Sequence, residues 1–262
     1  MQPKLSFVQI SDTHIGPTRS HEARTACTYD NLERFVTLLN AMPEPPDFVI
    51  HTGDITDDGS PASYELAWDL LSRINVPLYL VNGNHDLIEN MGGILAASGT
   101  PSSAVAGSLC YTFDLKGERF LVLDAFDPGA LQPAGCLGDA QLAFLRAETE
   151  GGDLPLTVFL HFPPLPMGSP WLDRRMLILN GHALHDALLP ARDRLRGVFS
   201  GHLHRPAQTV RDGIAYCTVA STAYQITWRR GEDDLGFDAA TPPGYMEARY
   251  FDDYAVATHY SF

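Results

Sequence analysis

Val81-Asn82-Gly83-Asn84-His85-Asp86 follows the apolar run Val76-Pro77-Leu78-Tyr79-Leu80, which reads as a buried strand. A strand ending in Gly-Asn-His-Asp delivers an amide, an imidazole and a carboxylate to its carboxyl edge. Open α/β sheets place their chemistry at that edge. Such groups are costly to bury without partners. The expected partners are a metal and a substrate.

The same grammar recurs along the chain. Leu5 to Ile10 is β-rich and ends in Ser11-Asp12-Thr13-His14, where an extended backbone points Asp12 and His14 to one side. Phe48-Val49-Ile50 leads into Thr52-Gly53-Asp54. Thr157 to Leu160 ends at His161, and Gly197-Val198-Phe199 leads into Ser200-Gly201-His202-Leu203-His204. Each stretch offers oxygen or imidazole donors, which suit borderline divalent or trivalent metals. Glycines beside Asp54, Asn84 and His202 allow backbone approach that a Cβ would obstruct.

Helical spacing marks Tyr29 to Met42, about Ala62 to Ile74, Gly138 to Glu150 and Gly181 to Leu195. Ile88 to Ser108 is rich in Gly, Ser and Ala and reads as a long loop with room for a short helix. Hairpins are expected around Lys116-Gly117 and, between Met246 and Tyr260, around Asp252-Asp253. Strand–helix alternation followed by hairpins points to two mixed sheets packed together with helices outside.

Composition sets the limits. The chain has 262 residues, 45% hydrophobic and 19% charged, enough for a full core. A net charge of −14 argues against binding nucleic acid or an anionic membrane. It permits a small phosphate ester, because bound metal inverts the local field. Cys27, Cys110, Cys136 and Cys217 show neither Cys-x-x-Cys spacing nor a disulfide pattern and read as thiols of a reducing compartment. No signal peptide and no bilayer-length apolar run is visible, so a cytoplasmic protein is expected.

The motif series from Asp12 to His204 resembles the calcineurin-like metallophosphoesterase superfamily. More narrowly it is similar to the class III cyclic-nucleotide phosphodiesterase and glycerophosphodiesterase branch. The resemblance implies an α/β fold, a four-layer α-β-β-α sandwich of two mixed β-sheets flanked by helices. It implies one metallophosphoesterase domain over 1–262, with a C-terminal β-hairpin extension over about 225–262. It also implies two divalent or trivalent transition metals per chain (Mn, Fe, Zn or Co). Asp12, His14, Asp54 and His204 would hold the first metal. Asp54 would bridge to a second, held also by Asn84, His161 and His202.

The implied reaction is hydrolysis of a small phosphodiester, a cyclic nucleotide such as 3',5'-cAMP or a glycerophosphodiester, by metal-bound hydroxide. His85 would be the catalytic imidazole, and Asp86 or a backbone carbonyl would orient it. Asn84 and His85 would also touch substrate, joined by Asn180, His182 and Arg19. A homo-oligomer, dimer or higher, is expected from the relatives. The alternatives are a phosphomonoesterase or broad phosphoester or phosphonate-ester hydrolase on the same site, and a non-catalytic scaffold on the same fold.

Other features read as structural. His21, His51, His182, His185 and His259 are core or surface histidines by default, His182 keeping its second reading as a pocket residue. Asp57-Asp58 reads as a solvated turn. Asp57 stands where purple acid phosphatases carry a tyrosine, so no tyrosinate ligand and no purple colour are expected. Asp54 to Glu65 imitates a calcium loop but lacks the entering helix and carries Pro61.

Overall fold

The computed structural model describes residues 2–24, 26–130 and 133–262. In chain order the elements are β1 (Leu5–Ile10), β2 (Glu22–Ala23), β3 (Ala26–Cys27), α1 (Thr28–Asn40), β4 (Phe48–His51), α2 (Pro61–Leu71), β5 (Leu78–Leu80) and α3 (Ile88–Ser98). Then come β6 (Tyr111–Leu115), β7 (Glu118–Val122), α4 (Asp139–Glu150), β8 (Leu156–Phe159), α5 (Pro170–Arg175), α6 (Gly181–Leu188), a 3-10 turn (Leu189–Arg194) and β9 (Leu195–Ser200). The chain closes with β10 (Ala207–Arg211), β11 (Ile214–Thr218), β12 (Gln225–Thr227), β13 (Gly236–Asp238), β14 (Gly244–Tyr250) and β15 (Ala255–Ser261).

Two mixed sheets carry the architecture, in the orders β15-β14-β1-β4-β5 and β10-β11-β9-β8-β7-β6. Strands β1, β4 and β5 run parallel, as do β7, β8, β9 and β11. The antiparallel hairpin β14–β15 completes the first sheet beside β1, and β12–β13 forms a separate ribbon.

Period-two alternation sorts each strand between its faces. In β8, Leu156 and Val158 face the helical side with α4 and α6, whereas Phe159 turns into the space between the sheets. That space is aromatic. Phe7 stacks on Phe48 at 5.2 Å and meets Phe159, Phe199, Tyr250 and Phe120 edge-on at 5.3–6.3 Å. Helices α1, α2 and α3 bury Phe35, Leu70 and Met91 on the outer face of the first sheet. Helix–sheet–sheet–helix layering results, as the alternation implied.

Helix ends follow local chemistry. The Oγ of Ser60 accepts the Ser63 amide, and Pro61 pre-sets the first turn of α2. The expected helix to Leu195 stops at Leu188 and tightens into the 3-10 turn, because Pro190 has no amide to continue the ladder. The stretch read as a loop with room for a short helix opens with the eleven-residue α3 and continues as loop to β6. Gly92 and Gly93 lower its propensity, but burial of Met91 and Ile94 overrides this, and Gly99 at φ +76° ends it. All four cysteines are free.

Phe7 is fully buried between the sheets. Phe7→Ala is expected to lower unfolding stability by about 3–5 kcal/mol, read as a shift in denaturant midpoint. A loss below about 1 kcal/mol would show that the inter-sheet cluster does not hold the sandwich.

Candidate metal centre

The parallel strands of the two sheets deliver their carboxyl ends to one place. Asp12 and His14 follow β1, Asp54 follows β4, Asn84 follows β5, His161 follows β8, and His202 and His204 follow β9. Among the described residues three groups of potential ligands form there: His14 with Asp57 and His85 at the rim, and, deeper, Asp12 with His14 and His204, and Asp54 with His161 and His202. His204 Nε2 lies 3.2 Å from Asp12 Oδ1 and 3.2 Å from His14 Nε2. His161 Nε2 lies 3.0 Å from His202 Nδ1 and 3.2 Å from Asn84 Oδ1. Asp54 joins the groups: its Oδ2 is 3.8 Å from His14 Nε2 and 3.3 Å from His161 Nε2. Its Oδ1 accepts the His85 amide at 2.9 Å.

Backbone conformation at these positions is unusual. Asp12, His14, Asp54, His202 and His204 all have φ between +45° and +67°. Non-glycine residues rarely adopt this region, and such strain clusters at functional sites. Close backbone approach adds to it. A Cβ on Gly83 would sit 2.2 Å from Asp54 Oδ1, and one on Gly201 would sit 1.9 Å from Ser11 Oγ.

The outer ring nitrogens are tied down. His161 Nδ1 donates to the Thr52 carbonyl and His204 Nδ1 to the Tyr224 carbonyl, both at 2.8 Å. His14 Nδ1 faces Asp57 Oδ1 at 3.2 Å. These bonds turn the Nε2 lone pairs of three imidazoles inward.

Inward-facing lone pairs at 3.2 Å repel unless a positive charge lies among them. Asp12 Oδ1 and His202 Nε2 are also buried without a hydrogen-bond partner. The proton balance points the same way. Burial opposes charge on His161, yet Asp54 and then Asp12 hold its pKa up to about 9. His202 is pushed well below the imidazole range, by burial and then by His161. Burial also opposes charge on Asp54 and Asp12, but His161 and His204 respectively keep both carboxyls low. The chamber therefore attracts cations, and its nitrogen and oxygen donors fit divalent metal ions.

Other expected site residues fall into place differently. His85 is partly exposed in the cleft, and its Nδ1 donates to the Asp57 carbonyl at 2.8 Å. Of the two orienters expected, the carbonyl holds this ring. Asp86 is buried and accepts the amides of Ile55, Thr56 and Gly83 and the hydroxyls of Thr56 and Tyr64. It fastens the loop after β5 to the loop after β4. Burial, with Asp54 nearby, raises its pKa to about 6.

Asn180, His182 and Arg19 are not brought to the cleft. The Asn180 amide bridges the Leu137 backbone, His182 is exposed beside Arg211, and Arg19 pairs with Asp69 while lying over Tyr29.

Asp57 is no solvated turn. It is half-buried, contacts His14 and His21 through its carboxylate, and orients His85 through its carbonyl. Its neighbours His14 and His21 hold its carboxyl low, at about 2, with the His14 hydrogen bond the largest cause. Tyr224 was also missed. It acts partly through a backbone carbonyl, which carries no sequence signature. Of the default histidines, His51 stays neutral, burial pushing it down to about 3, and bonds Thr13. His185 is buried between Tyr216 and Asp212.

A sequence model for calcineurin-like phosphoesterases matches residues 5–206. The chain is 30% identical over 266 residues to the glycerophosphodiester phosphodiesterase GpdQ of Enterobacter lignolyticus, covering 98% of this chain and 91% of that one. It is 31% identical over 253 residues to the 3',5'-cyclic adenosine monophosphate phosphodiesterase CpdA of Pseudomonas aeruginosa, covering 96% and 88%. The fold matches a dimetal phosphatase from Danio rerio with TM-score 0.74 at 17% identity, covering 99% and 97%.

The strained backbone gives a test. In chelator-treated protein, His204→Gly is expected to be more stable than His204→Ala by about 1 kcal/mol, since glycine adopts positive φ without a Cβ clash. Equal denaturation midpoints would show that the loop relaxes instead.

Proposed function

From membership of the calcineurin-like phosphoesterase family, to which this chain belongs in the branch of the glycerophosphodiesterases and class III cyclic-nucleotide phosphodiesterases, we propose a dinuclear phosphodiesterase. Its substrates are small diesters, a cyclic nucleotide or a glycerophosphodiester. Asp12, His14, Asp54 and His204 would hold one ion. Asp54, Asn84, His161 and His202 would hold the other. The observation that carries this reading is the single Asp54 oxygen within 3.8 Å of both imidazole groups. When bound, such ions polarise the phosphoryl oxygens and lower the pKa of water to near neutrality.

The chain's own residues supply the rest. The His85 ring is fixed through Nδ1, which leaves Nε2 to pass a proton to the departing alkoxide. The Asp57 carbonyl accepts from Nδ1 and so fixes the ring and its tautomer. Asp86 keeps the His85 loop in register with Asp54. The Asn84 amide, a neutral donor, makes the second ion the weaker one.

Manganese, iron, zinc and cobalt all suit this donor set. The reading includes a cytoplasmic homo-oligomer that binds no nucleic acid, the last supported by the −14 charge. Among the described residues no helix is long and apolar enough to cross a membrane.

Hydrolysis of bis(p-nitrophenyl) phosphate with added manganese, cobalt or zinc tests the reading. Metal-loaded protein with no turnover would overturn it. His85→Ala should keep its metals and lose about 10²–10⁴-fold in rate, whereas Asp54→Ala should lose metal as well. A mild chelator should remove one ion well before the other. Two ions released together would contradict the role given to Asn84.

A further inference from the structure

Opposite the metal-ligating floor, the cleft is walled by Trp171, Met176, Tyr224 and Phe237, with Arg24 beside them. Rings lead outward from the ligands. The Tyr224 ring lies 4.4 Å from that of His204 and 5.9 Å from that of Phe237. Phe237 is 50% exposed, so one part of its ring is open to a ligand. The Arg24 guanidinium lies 4.4 Å over its face. Among the described residues Arg24 has no hydrogen bond or ion pair, although the chain carries net charge −14. Its φ of +51° belongs to the tight turn of the β2–β3 hairpin, in which Ala23 pairs with Ala26, and this turn holds Arg24 at the cleft.

Arg24, Tyr224 and Phe237 also line a second cavity of about 250 Å³ on the outer side. The inner cavity is about 160 Å³. That is below the roughly 300–1,000 Å³ of small-molecule sites, a range the two compartments reach only together. The inner compartment suits the diester centre, and the outer one, across the Arg24–Phe237 wall, offers room for an ester arm.

We propose that Arg24 and Phe237 determine specificity, selecting phosphodiesters whose outer ester arm carries an uncharged planar ring over arms that end in a cation. The ring stacks on Phe237 in the outer compartment, and the guanidinium repels an ammonium arm, the Asp238 carboxylate on the same wall being already engaged by Arg205 and Thr241. This rests on the phosphodiesterase reading above.

The test compares kcat/KM for a nucleobase- or aryl-bearing diester with that for glycerophosphoethanolamine, in wild type, Arg24→Ala, Phe237→Ala and Phe237→Leu. The ratio is expected to fall at least about tenfold in all three variants, through a higher KM for the ring-bearing substrate in the Phe237 variants and a lower KM for glycerophosphoethanolamine in Arg24→Ala. Unchanged ratios would overturn the proposal. So would a wild-type ratio in Phe237→Leu, since an apolar wall without a ring would then suffice. Binding of AMP to the metal-loaded protein separates the two readings. Wild type that binds AMP more tightly than Phe237→Ala, yet cleaves no diester, sinks the phosphodiesterase and leaves the ring site standing.

Discussion

One carboxylate governs the geometry. Asp54 is buried, anchored by an amide on one oxygen, and aimed with the other at imidazoles from both sheets. A buried anion in this setting is tolerable only among positive partners. Everything around it serves to bring such partners close. Gly83 admits the neighbouring loop, Asp86 pins that loop, and carbonyls of Thr52 and Tyr224 turn the rings.

The scaffold makes this possible because its parallel strands end on one side. The aromatic packing around Phe7 fixes how the sheets sit together, and so sets the separation between His14 on one and His161 on the other. Stability and function pull in opposite directions here. Five of the candidate ligands, Asp12, His14, Asp54, His202 and His204, sit in a backbone region that side chains disfavour, and the core must offset that strain. Ligand binding in turn would favour the folded state.

Much of this could be read from residue order. Asp12, His14, Asp54, Asn84, His161, His202 and His204 betray themselves because polar donors interrupt apolar strands, with glycine beside them. Asp57 did not, since an acidic pair after a turn looks solvated until the path of residues 16 to 21 brings His21 against it. Arg24 and Phe237 lie in stretches without periodicity, and only the fold makes them neighbours. Tyr224 contributes main-chain oxygen, which every residue has. Helix α3 was obscured by Gly92 and Gly93, whose weak local preference yields to tertiary contact.

The placement of β14 has a consequence for assembly in time. The strand that carries Asp12 pairs on one flank with β4, made early, and on the other with β14, made near the end of translation. Ser221, which receives the Gly244 amide, also holds the Asp12 carbonyl through its hydroxyl. A nascent chain can therefore collapse its first sheet on the ribosome while one border of β1 stays bare. Such an unpaired edge is prone to mispairing until the last hairpin arrives. The floor of the chamber is finished by residues that never enter it.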